Sequence, residues 1–221
     1  MYFSDEKELF EACKKSLFSA VIGDILDSMG YVNQFLPQRI KPLHDGYVCI
    51  GRAMTVQEAD ITGPLEKPFG KMFEALDSLQ EHEVYICSGS SLDYAQWGGL
   101  MSNRAIHLRA SGAILNGFSR DTKEILELGF PVFSSGLYAK DQGVRGKVID
   151  YRCPITFENG VVVQSGDIVF GDLDGVVIIP QSIEEEVLTK AFEKSNEENI
   201  VRDAIVKGMP TVEAFEKFGI M

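Results

Sequence analysis

The sequence predicts an α/β protein, and we expect residues 1–221 to form a single domain. Between residues 83 and 133, short apolar runs alternate with segments of helical character, an order that is typical of α/β layering. Farther along, two apolar runs flank Glu158-Asn159-Gly160, which is a strong signal for a β-hairpin. The sequence has no repeats, low-complexity stretches or linker-like compositions, so nothing in it indicates an internal domain boundary.

The first third of the sequence predicts two helices, a strand and a third helix. The first helix is expected over residues 4–15, with Leu9, Phe10 and Cys13 on one face. The second is expected over residues 19–28 and ends before Gly30. Residues 47–57 are rich in β-branched and apolar side chains and predict a strand. Residues 70–79 predict a helix with Phe73 and Leu76 facing inward.

The rest of the sequence predicts the alternating strands and helices of residues 83–133, then a β-rich segment, then a long helix. We expect strands at 83–87, 113–116 and 131–133, helices at 100–110 and 121–128, and a Gly- and Ser-rich loop over 88–99. The hairpin strands are expected at 155–157 and 161–164, followed by strands at 167–171 and 175–179. A helix over 181–207 begins with three glutamates, which the helix dipole favours there, and a short helix follows at 211–218.

Composition and charge narrow the class of protein. The net charge is −12 and the apolar share is 45%, which suits a soluble globular protein and excludes a basic nucleic-acid surface. No apolar run reaches the length of a membrane span, and the N-terminus lacks the apolar segment of a secretory signal. Four widely spaced cysteines without a C-x-x-C pair exclude the usual zinc spacing, so we expect a cytoplasmic protein.

The segment NGFSRDTKEI, residues 116–125, places charged residues where a strand gives way to a helix. Asp121 and Glu124 have the spacing of a capping box, in which Asp121 would accept a hydrogen bond from the third helical N–H group. The same two carboxylates lie on one helix face and are hard oxygen ligands suited to Mg²⁺ or Mn²⁺. The local sequence leaves both interpretations open, and they are not exclusive.

A second loop, Gly98-Gly99, precedes the neighbouring helix. Two glycines let backbone amides approach a ligand closely, and a helix N-terminus attracts anions. Because consecutive loops after parallel strands emerge at the same sheet edge, residues 98–101 and 120–124 are expected to face one crevice. There Arg120 would pair with a substrate carboxylate, and a metal, the Arg and the amides together would stabilise an enolate.

Other catalytic classes lack their signatures. The three histidines are scattered and no H-E-x-x-H motif occurs. The serines after residue 87 lack a G-x-S-x-G elbow, and no G-x-G-x-x-G turn follows a strand. Trp97 would either stack on a ligand or pack beside the glycine loop.

Several segments, in the right order over nearly the whole chain, resemble one family. They are IGDILDSMG, GRAMTV, WGGL, GAILNGFSRD, GFPVF, SGDIVFGDLDGVVIIP and EENIVRDAIVKG. The chain is thereby similar to the RraA-like family, which includes regulators of ribonuclease E activity and class II aldolases acting on 4-hydroxy-4-methyl-2-oxoglutarate. The resemblance implies a three-layer β/β/α sandwich of the swivelling-domain type and a homotrimer or dimer of trimers.

The resemblance also implies roles by position. Arg120 would bind the substrate carboxylate and keto oxygen, and Asp121 would ligate the divalent metal. The amides around Gly98, Gly99, Leu100 and Met101 would hold the carboxylate of a 2-keto acid. Glu198 matches a glutamate that reaches the site of a neighbouring subunit. The loop at residues 61–70 and the neighbour's terminal helix are expected to form pocket walls.

Two positions depart from the common pattern of the family aldolases. Gly99 stands where many carry an Asp, and Asn116 replaces a usual Asp. One branch of the family shows instead Gly, twenty residues, Arg-Asp, two residues and an acid, which Gly99, Arg120, Asp121 and Glu124 match. Glu124 would then supply the carboxylate that Gly99 lacks.

The expected activity is that of a Mg²⁺- or Mn²⁺-dependent lyase. It would cleave a 4-hydroxy-2-oxo acid to pyruvate, or decarboxylate oxaloacetate, through a pyruvate enolate. Two alternatives stay open: a non-enzymatic protein that binds and inhibits a ribonuclease, and an isomerase or lyase acting on a sugar acid at the same site.

Overall fold

The computed structural model describes residues 3–64, 66–91 and 93–219. Within these ranges it contains seven α-helices and one 3₁₀-helix, Gln181–Ile183. The α-helices are α1 (Glu6–Ser16), α2 (Ser19–Ser28), α3 (Met72–Asp77), α4 (Gly99–His107), α5 (Thr122–Leu128), α6 (Glu184–Val206) and α7 (Thr211–Phe218). The strands are β1 (Lys41–Pro42), β2 (Cys49–Asp60), β3 (Phe69–Gly70), β4 (Glu83–Ser88), β5 (Ala95–Trp97), β6 (Gly112–Leu115), β7 (Phe118–Ser119), β8 (Val132–Ser134), β9 (Gly136–Leu137), β10 (Gly146–Tyr151), β11 (Ile155–Thr156), β12 (Val162–Val163), β13 (Ile168–Gly171) and β14 (Val176–Ile179).

Four parallel strands form the centre of a nine-stranded sheet, in the spatial order β8-β6-β4-β2. The long strand β2 divides its free edge between two antiparallel partners. Its first residues pair with β13 and its last residues pair with β10. Because the parallel strands point the same way, the segments that follow β4 and β6 emerge at one edge of the sheet.

Side chains alternate between the two faces of the central strands, as the strand period of two requires. One face carries Met54, Val56, Tyr85 and Leu115 and packs under α3, α4 and α5. The opposite face carries Ala53, Val84, Ile86 and Ile114 and packs against β13, β14 and the β11–β12 hairpin. The sheet therefore curls over its own core, and the predicted α/β class with β/β/α layering is confirmed.

A third core lies on the outer face of the curled strands. There Ile168, Phe170, Val177 and Ile179 pack against α1, α2 and α6. The predicted bounds of α2 and α7 are those of the structure, and the β11–β12 hairpin forms as predicted.

Two predictions about the first third of the chain need correction. The predicted helix at 70–79 begins only at Met72, because Phe69 and Gly70 form β3 and pair with β10. Phe73 does not face inward: its side chain is 53% exposed, whereas Leu76 is buried as predicted.

The loop predicted at 88–99 contains a short strand. β5 pairs with β7, and β7 with β9, to form a separate three-stranded sheet. Each of these strands has only two or three residues, which is too short for a hydrophobic period to show in the sequence.

Candidate functional site

The two predicted loops meet at the carboxyl edge of the sheet. Gly98 is the N-cap of α4 and Asp121 is the N-cap of α5. The small sheet β5-β7-β9 joins them, and the backbone N–H of Arg120 donates to the carbonyl of Trp97 at 3.0 Å. The structure thus brings residues 98–101 and 120–121 to one place, as the parallel arrangement predicts.

Asp121 does not cap its own helix with its side chain, so the capping-box interpretation is wrong. Its backbone is left-handed, with φ 59° and ψ 32°, where an N-cap normally has extended backbone. Oδ2 instead accepts a hydrogen bond from the N–H of Gly99 at 3.2 Å. The left-handed backbone turns the carboxylate away from α5 and towards the N-terminus of α4.

Glu124 reaches the same turn of α4 from one helical turn farther along α5. Its carboxylate lies against Gly99, in the space that a Cβ at that position would need. Asn103 Nδ2 donates to Glu124 Oε1 at 2.9 Å and fixes the carboxylate there. Gly98 has a similar relation to Asp121, since a Cβ on Gly98 would lie 2.6 Å from Oδ2. Both glycines are therefore needed for the two carboxylates to approach α4.

Arg120 is held by a partner that the sequence does not reveal. Its Nη1 lies 2.9 Å from Asp141 Oδ1, and its Nε lies 3.9 Å from Asp121 Oδ2. Asp141 is itself fixed, because its Oδ2 accepts the N–H of Gly143 at 2.8 Å and its backbone bridges to Ala95. Asp141 lies in no motif, and only the pairing of its segment with β5 brings it to Arg120.

A pocket of about 250 Å³ opens between these groups. Arg120 is the one cationic residue among the described residues that line it. The lining consists of Phe69, Met72, Phe73, Ala95, Gln96, Trp97, Gly98, Leu100, Met101, Arg120, Asp121, Asp141 and Gln142. Sequence reasoning missed Met72, Phe73, Asp141 and Gln142, which carry no recognisable motif.

Not every predicted site residue lines this pocket. Gly99 and Glu124 are not among the residues that line it, although Gly98 and Leu100 on either side of Gly99 are. Of the wall predicted at 61–70, Phe69 contributes to the lining, while Leu65 lies outside the described residues. Glu198 is on α6, with its Oε1 3.8 Å from Lys194 Nζ, and does not line the pocket within one chain. Its contribution to a neighbouring subunit stays a prediction.

Trp97 packs rather than presenting its ring to solvent. It is buried, its ring stacks on Phe130 at 6.1 Å between centroids, and Tyr85 lies 4.9 Å away. Its Nε1 donates to Ser102 Oγ at 2.8 Å, which ties β5 to α4. The packing interpretation of Trp97 is therefore confirmed, and the residue forms a rigid floor beside Gly98.

The carboxylates of Asp121 and Glu124 suit Mg²⁺ or Mn²⁺. Both are hard oxygen donors that converge on Gly98-Gly99. Over the ranges that the structure describes, no three or more His, Cys, Asp or Glu side chains converge in a group that could hold a metal. Mg²⁺ is usually held by one or two carboxylates and keeps several waters, so a pair of carboxylates fits it.

A buried carboxyl group lies directly behind the pocket wall. Glu58, on β2, is 1% exposed, and its two oxygens accept from Gln142 Nε2 at 3.1 and 2.9 Å. Burial raises the pKa of Glu58 to about 8, against the lowering effect of the Gln142 hydrogen bond. Tyr85 Oη is buried without a hydrogen-bond partner among the described residues.

The structure also explains the Asn at position 116. Its Oδ1 accepts from Arg39 Nη2 at 2.6 Å, and its Nδ2 donates to Glu158 Oε2 at 3.0 Å and Ser88 Oγ at 3.1 Å. Arg39 also pairs directly with Glu158. An aspartate at 116 would lack the donor and would face the Glu158 carboxylate. Asn116 therefore belongs to a polar network that the pocket does not include.

A larger cavity, of about 320 Å³, lies between α1 and α6 and has the wrong charge for an anionic substrate. Four carboxylate residues and no cationic residue are found among its described lining residues, which are Phe3, Asp5, Glu6, Leu9, Glu184, Glu185, Leu188, Thr189 and Phe192. We therefore assign the candidate site to the pocket at Arg120.

Comparison with known proteins agrees with the fold and the motifs. The family model described as RraA-like, Aldolase/RraA, matches residues 19–178. The chain belongs to the RraA-like family. A relative from Halalkalibacterium halodurans, named "Putative 4-hydroxy-4-methyl-2-oxoglutarate aldolase", is 29% identical over 204 residues, which cover 91% of this chain and 90% of that protein.

Two further comparisons extend this result. Protein DlpA of Legionella pneumophila is 31% identical over 204 residues, which cover 90% of this chain and 32% of DlpA, so the chain spans about a third of that protein. The crystal structure of Streptomyces coelicolor RraAS2, described as an unusual member of the RNase ES inhibitor RraA protein family, superposes with a TM-score of 0.75 at 24% identity. That match covers 90% of this chain and 98% of RraAS2 and bears on the fold alone. Among the described helices, none has the length and apolar character needed to cross a membrane.

Proposed function

We propose that this RraA-like protein is a divalent-metal-dependent lyase. It cleaves a 4-hydroxy-2-oxo acid to pyruvate by retro-aldol chemistry and decarboxylates oxaloacetate through the same pyruvate enolate. The observation that carries the proposal is the convergence of Arg120, Asp121 and the N-terminus of α4 on one pocket. Membership of a family that contains an aldolase-named relative supports it.

The first turn of α4 suits a carboxylate. The first N–H groups of a helix have no partner within the helix, and the helix dipole is positive there. Asp121 takes the N–H of Gly99, which leaves those of Leu100 and Met101 free of the helix ladder. Both residues line the pocket, so their amides are available to one edge of a 2-oxo carboxylate.

Arg120 can bind the opposite edge of the substrate's 2-oxo carboxylate. A guanidinium donates two parallel hydrogen bonds to a carboxylate or an enolate oxygen, and it stabilises negative charge that develops in the transition state. Its ion pair with Asp141 fixes the direction of the side chain before substrate arrives. Such preorganisation lowers the barrier because no reorganisation is needed during the reaction.

Asp121 and Glu124 are the residues that would hold Mg²⁺ or Mn²⁺. When bound, a divalent cation acts as a Lewis acid that polarises the keto oxygen. The chain's own contribution is to fix both carboxylates, through Gly99 N–H for Asp121 and Asn103 Nδ2 for Glu124. We further propose a cytoplasmic trimer or dimer of trimers in which Glu198 reaches the neighbouring site.

The test is pyruvate release from oxaloacetate by the purified protein after chelation and after addition of Mg²⁺ or Mn²⁺. We expect metal-dependent release that is lost in Arg120→Ala and in Asp121→Ala. Arg104→Ala is the matched control, because Arg104 is a half-buried arginine on α4 that pairs with Asp77 and does not line the pocket. Full activity and unchanged metal affinity in Asp121→Ala would refute the proposal. No release under any metal would favour a sugar-acid substrate or the ribonuclease-binding alternative.

A further inference from the structure

We propose that Gln142 binds the 4-hydroxyl group of the substrate through its amide oxygen, and that the buried Glu58 is the positioning residue that sets the direction of this amide. The inference rests on the proposed function of the Arg120 pocket and names the residue that selects a 4-hydroxy-2-oxo acid there. The evidence is the set of polar groups that line the pocket and the contacts that each of them already makes.

Gln142 reaches the pocket of Arg120 from a fixed stretch of backbone. It directly follows Asp141, whose Oδ1 lies 2.9 Å from Arg120 Nη1. The backbone carbonyl of Gln142 accepts hydrogen bonds from the N–H groups of Arg145 and Gly146, at 2.6 and 2.9 Å. Gln142 is itself buried and lines the pocket. Because the residue is already held in place, it loses little conformational entropy when a ligand binds to its amide.

Glu58 holds the nitrogen end of the Gln142 amide. Gln142 Nε2 lies 3.1 and 2.9 Å from the two carboxyl oxygens of Glu58, which accept its hydrogen. The amide of a glutamine has donors at the nitrogen and an acceptor at the oxygen. Because Nε2 faces both oxygens of Glu58, Oε1 is the end of the amide that has no hydrogen-bond partner among the described residues.

The other side-chain acceptors of the pocket are already engaged. Gln96 Oε1 accepts from Cys87 Sγ at 3.2 Å. Both carboxylate oxygens of Asp141 hold a donor, one from Arg120 and one from the backbone. The proposed function assigns the carboxylate of Asp121 to the metal. Among the described lining residues, Gln142 is therefore the one that offers a neutral acceptor to a substrate hydroxyl group.

Folding alone does not explain an acid at residue 58. Glu58 is buried on β2, and no cation among the described residues pairs with it. Burial raises its pKa, and the charge of Asp60 raises it further. A buried carboxyl group without a cation lowers the stability of the fold, and an apolar side chain of the same size would avoid that loss. What the carboxyl group of Glu58 contributes is the orientation of Gln142.

A hydrogen bond to the 4-hydroxyl group serves the cleavage reaction and not the decarboxylation. In retro-aldol cleavage the C3–C4 bond breaks, C4 becomes a carbonyl carbon, and the 4-hydroxyl proton leaves to water. The pyruvate enolate then takes up a proton at C3. Gln142 orients the hydroxyl group for this step and does not take its proton. Oxaloacetate has no 4-hydroxyl group and loses C4 as CO₂, so it gains nothing from this contact.

The experiment measures pyruvate release from 4-hydroxy-2-oxoglutarate and from oxaloacetate by the full chain with Mg²⁺. Gln142→Met keeps the length of the side chain and removes the amide. We expect kcat/KM for 4-hydroxy-2-oxoglutarate to fall about tenfold, and kcat/KM for oxaloacetate to change by less than about twofold. Because an unfolded fraction lowers both values equally, their ratio reports on the hydroxyl contact and not on folding.

Gln34→Met is the matched control and should leave the ratio unchanged. Gln34 also donates a hydrogen bond through Nε2, to the carbonyl of Ile178 at 3.0 Å, and it does not line the pocket.

Two variants test the positioning role of Glu58. Glu58→Met removes the acceptor for Gln142 Nε2, and we expect the ratio to fall about fivefold because the amide is then free to turn. Glu58→Gln keeps an acceptor at the same place and should retain the ratio within about twofold. A purely structural role of Glu58 would lower both reactions together and leave the ratio unchanged.

An unchanged ratio in Gln142→Met or in Glu58→Met would overturn the inference and leave the lyase proposal intact. Decarboxylation of oxaloacetate without cleavage of 4-hydroxy-2-oxoglutarate by the unmodified protein would have the same meaning. Pyruvate release from neither substrate would overturn both proposals.

Discussion

The carboxylate of Glu124 lies against the backbone of Gly99, in the space that any side chain at residue 99 would take. The aspartate that the resemblance to the family aldolases predicts at this position would meet that carboxylate, which gives a physical reason for the glycine. A carboxylate can come from residue 99 or from residue 124, but the two cannot occupy the same volume. The Gly99–Glu124 pair is therefore expected to act as a unit.

Gly99→Ala should displace the Glu124 carboxylate, because the new Cβ would overlap it. We expect Mn²⁺ affinity to fall roughly tenfold, as for loss of support around a metal ligand, with little loss of stability since the carboxylate is the end of a flexible side chain. Titration of Mn²⁺ by calorimetry measures this. Gly46→Ala is the control, because its Cβ would meet only the His44 ring at 3.2 Å.

A double variant tests whether carboxylates at residues 99 and 124 compete for the same space. Gly99→Asp alone forces two carboxylates together, whereas Gly99→Asp with Glu124→Ala leaves one. The double variant should bind Mn²⁺ more tightly than Gly99→Asp alone. Equal affinities of the two would show that Glu124 does not contribute to the metal site.

Asp141→Asn should loosen Arg120 without removing its charge. The charge-assisted contact of 2.9 Å becomes a weaker neutral one, so Arg120 is less fixed before binding. We expect the KM for oxaloacetate to rise roughly tenfold, with a smaller change in kcat. Steady-state kinetics of Asp93→Asn, which removes the neighbouring exposed ion pair to Lys140, should match the unmodified protein. A kcat loss with unchanged KM would contradict a positioning role.

Glu58 should make the fold less stable as the pH rises. Its folded pKa, about 8, is above the ordinary carboxyl value because burial penalises the charged form. The folded state therefore binds the proton more tightly than the unfolded state, and stability falls between the ordinary carboxyl pKa and about pH 8. The resulting loss in the free energy of unfolding is on the order of a few kcal/mol.

Glu58→Gln should flatten this pH dependence and raise stability most at pH 8. Urea unfolding at pH 5, 6, 7 and 8 measures the slope, with the exposed Glu216→Gln on α7 as the control. An unchanged slope in Glu58→Gln would show that Glu58 is ionised at little cost, for example through a buried water beside Tyr85.

Asn116→Asp should destabilise the protein at neutral pH. The change removes the donor to Glu158 and Ser88 and sets two carboxylates side by side. We expect a loss of about 1–3 kcal/mol in the free energy of unfolding at pH 7 and a smaller loss near pH 4, where one carboxyl takes up a proton. Denaturant unfolding at both pH values measures this, and Asn199→Asp, on the exposed face of α6, should have little effect. Equal losses at the two pH values would argue against charge repulsion as the cause.

The local sequence was sufficient where a pattern repeats over enough residues. The bounds of α2, the hairpin at Glu158-Asn159-Gly160 and the run of parallel strands followed from hydrophobic period and turn residues. The local sequence was insufficient for Phe73, which has the spacing of an inward-facing helix residue but is exposed and lines a pocket. It was also insufficient for β5, β7 and β9, which are too short to show a hydrophobic period.

Sequence alone determined the α/β class, the RraA-like membership and the presence of Arg120, Asp121 and the glycine pair at strand-to-helix loops. Only the tertiary structure decided what these residues touch. Asp121 turns from its own helix to α4, Arg120 takes Asp141 as partner, and Gln142 covers the buried Glu58. These contacts join segments distant along the chain, and their geometry depends on backbone angles and sheet pairing that no local pattern encodes.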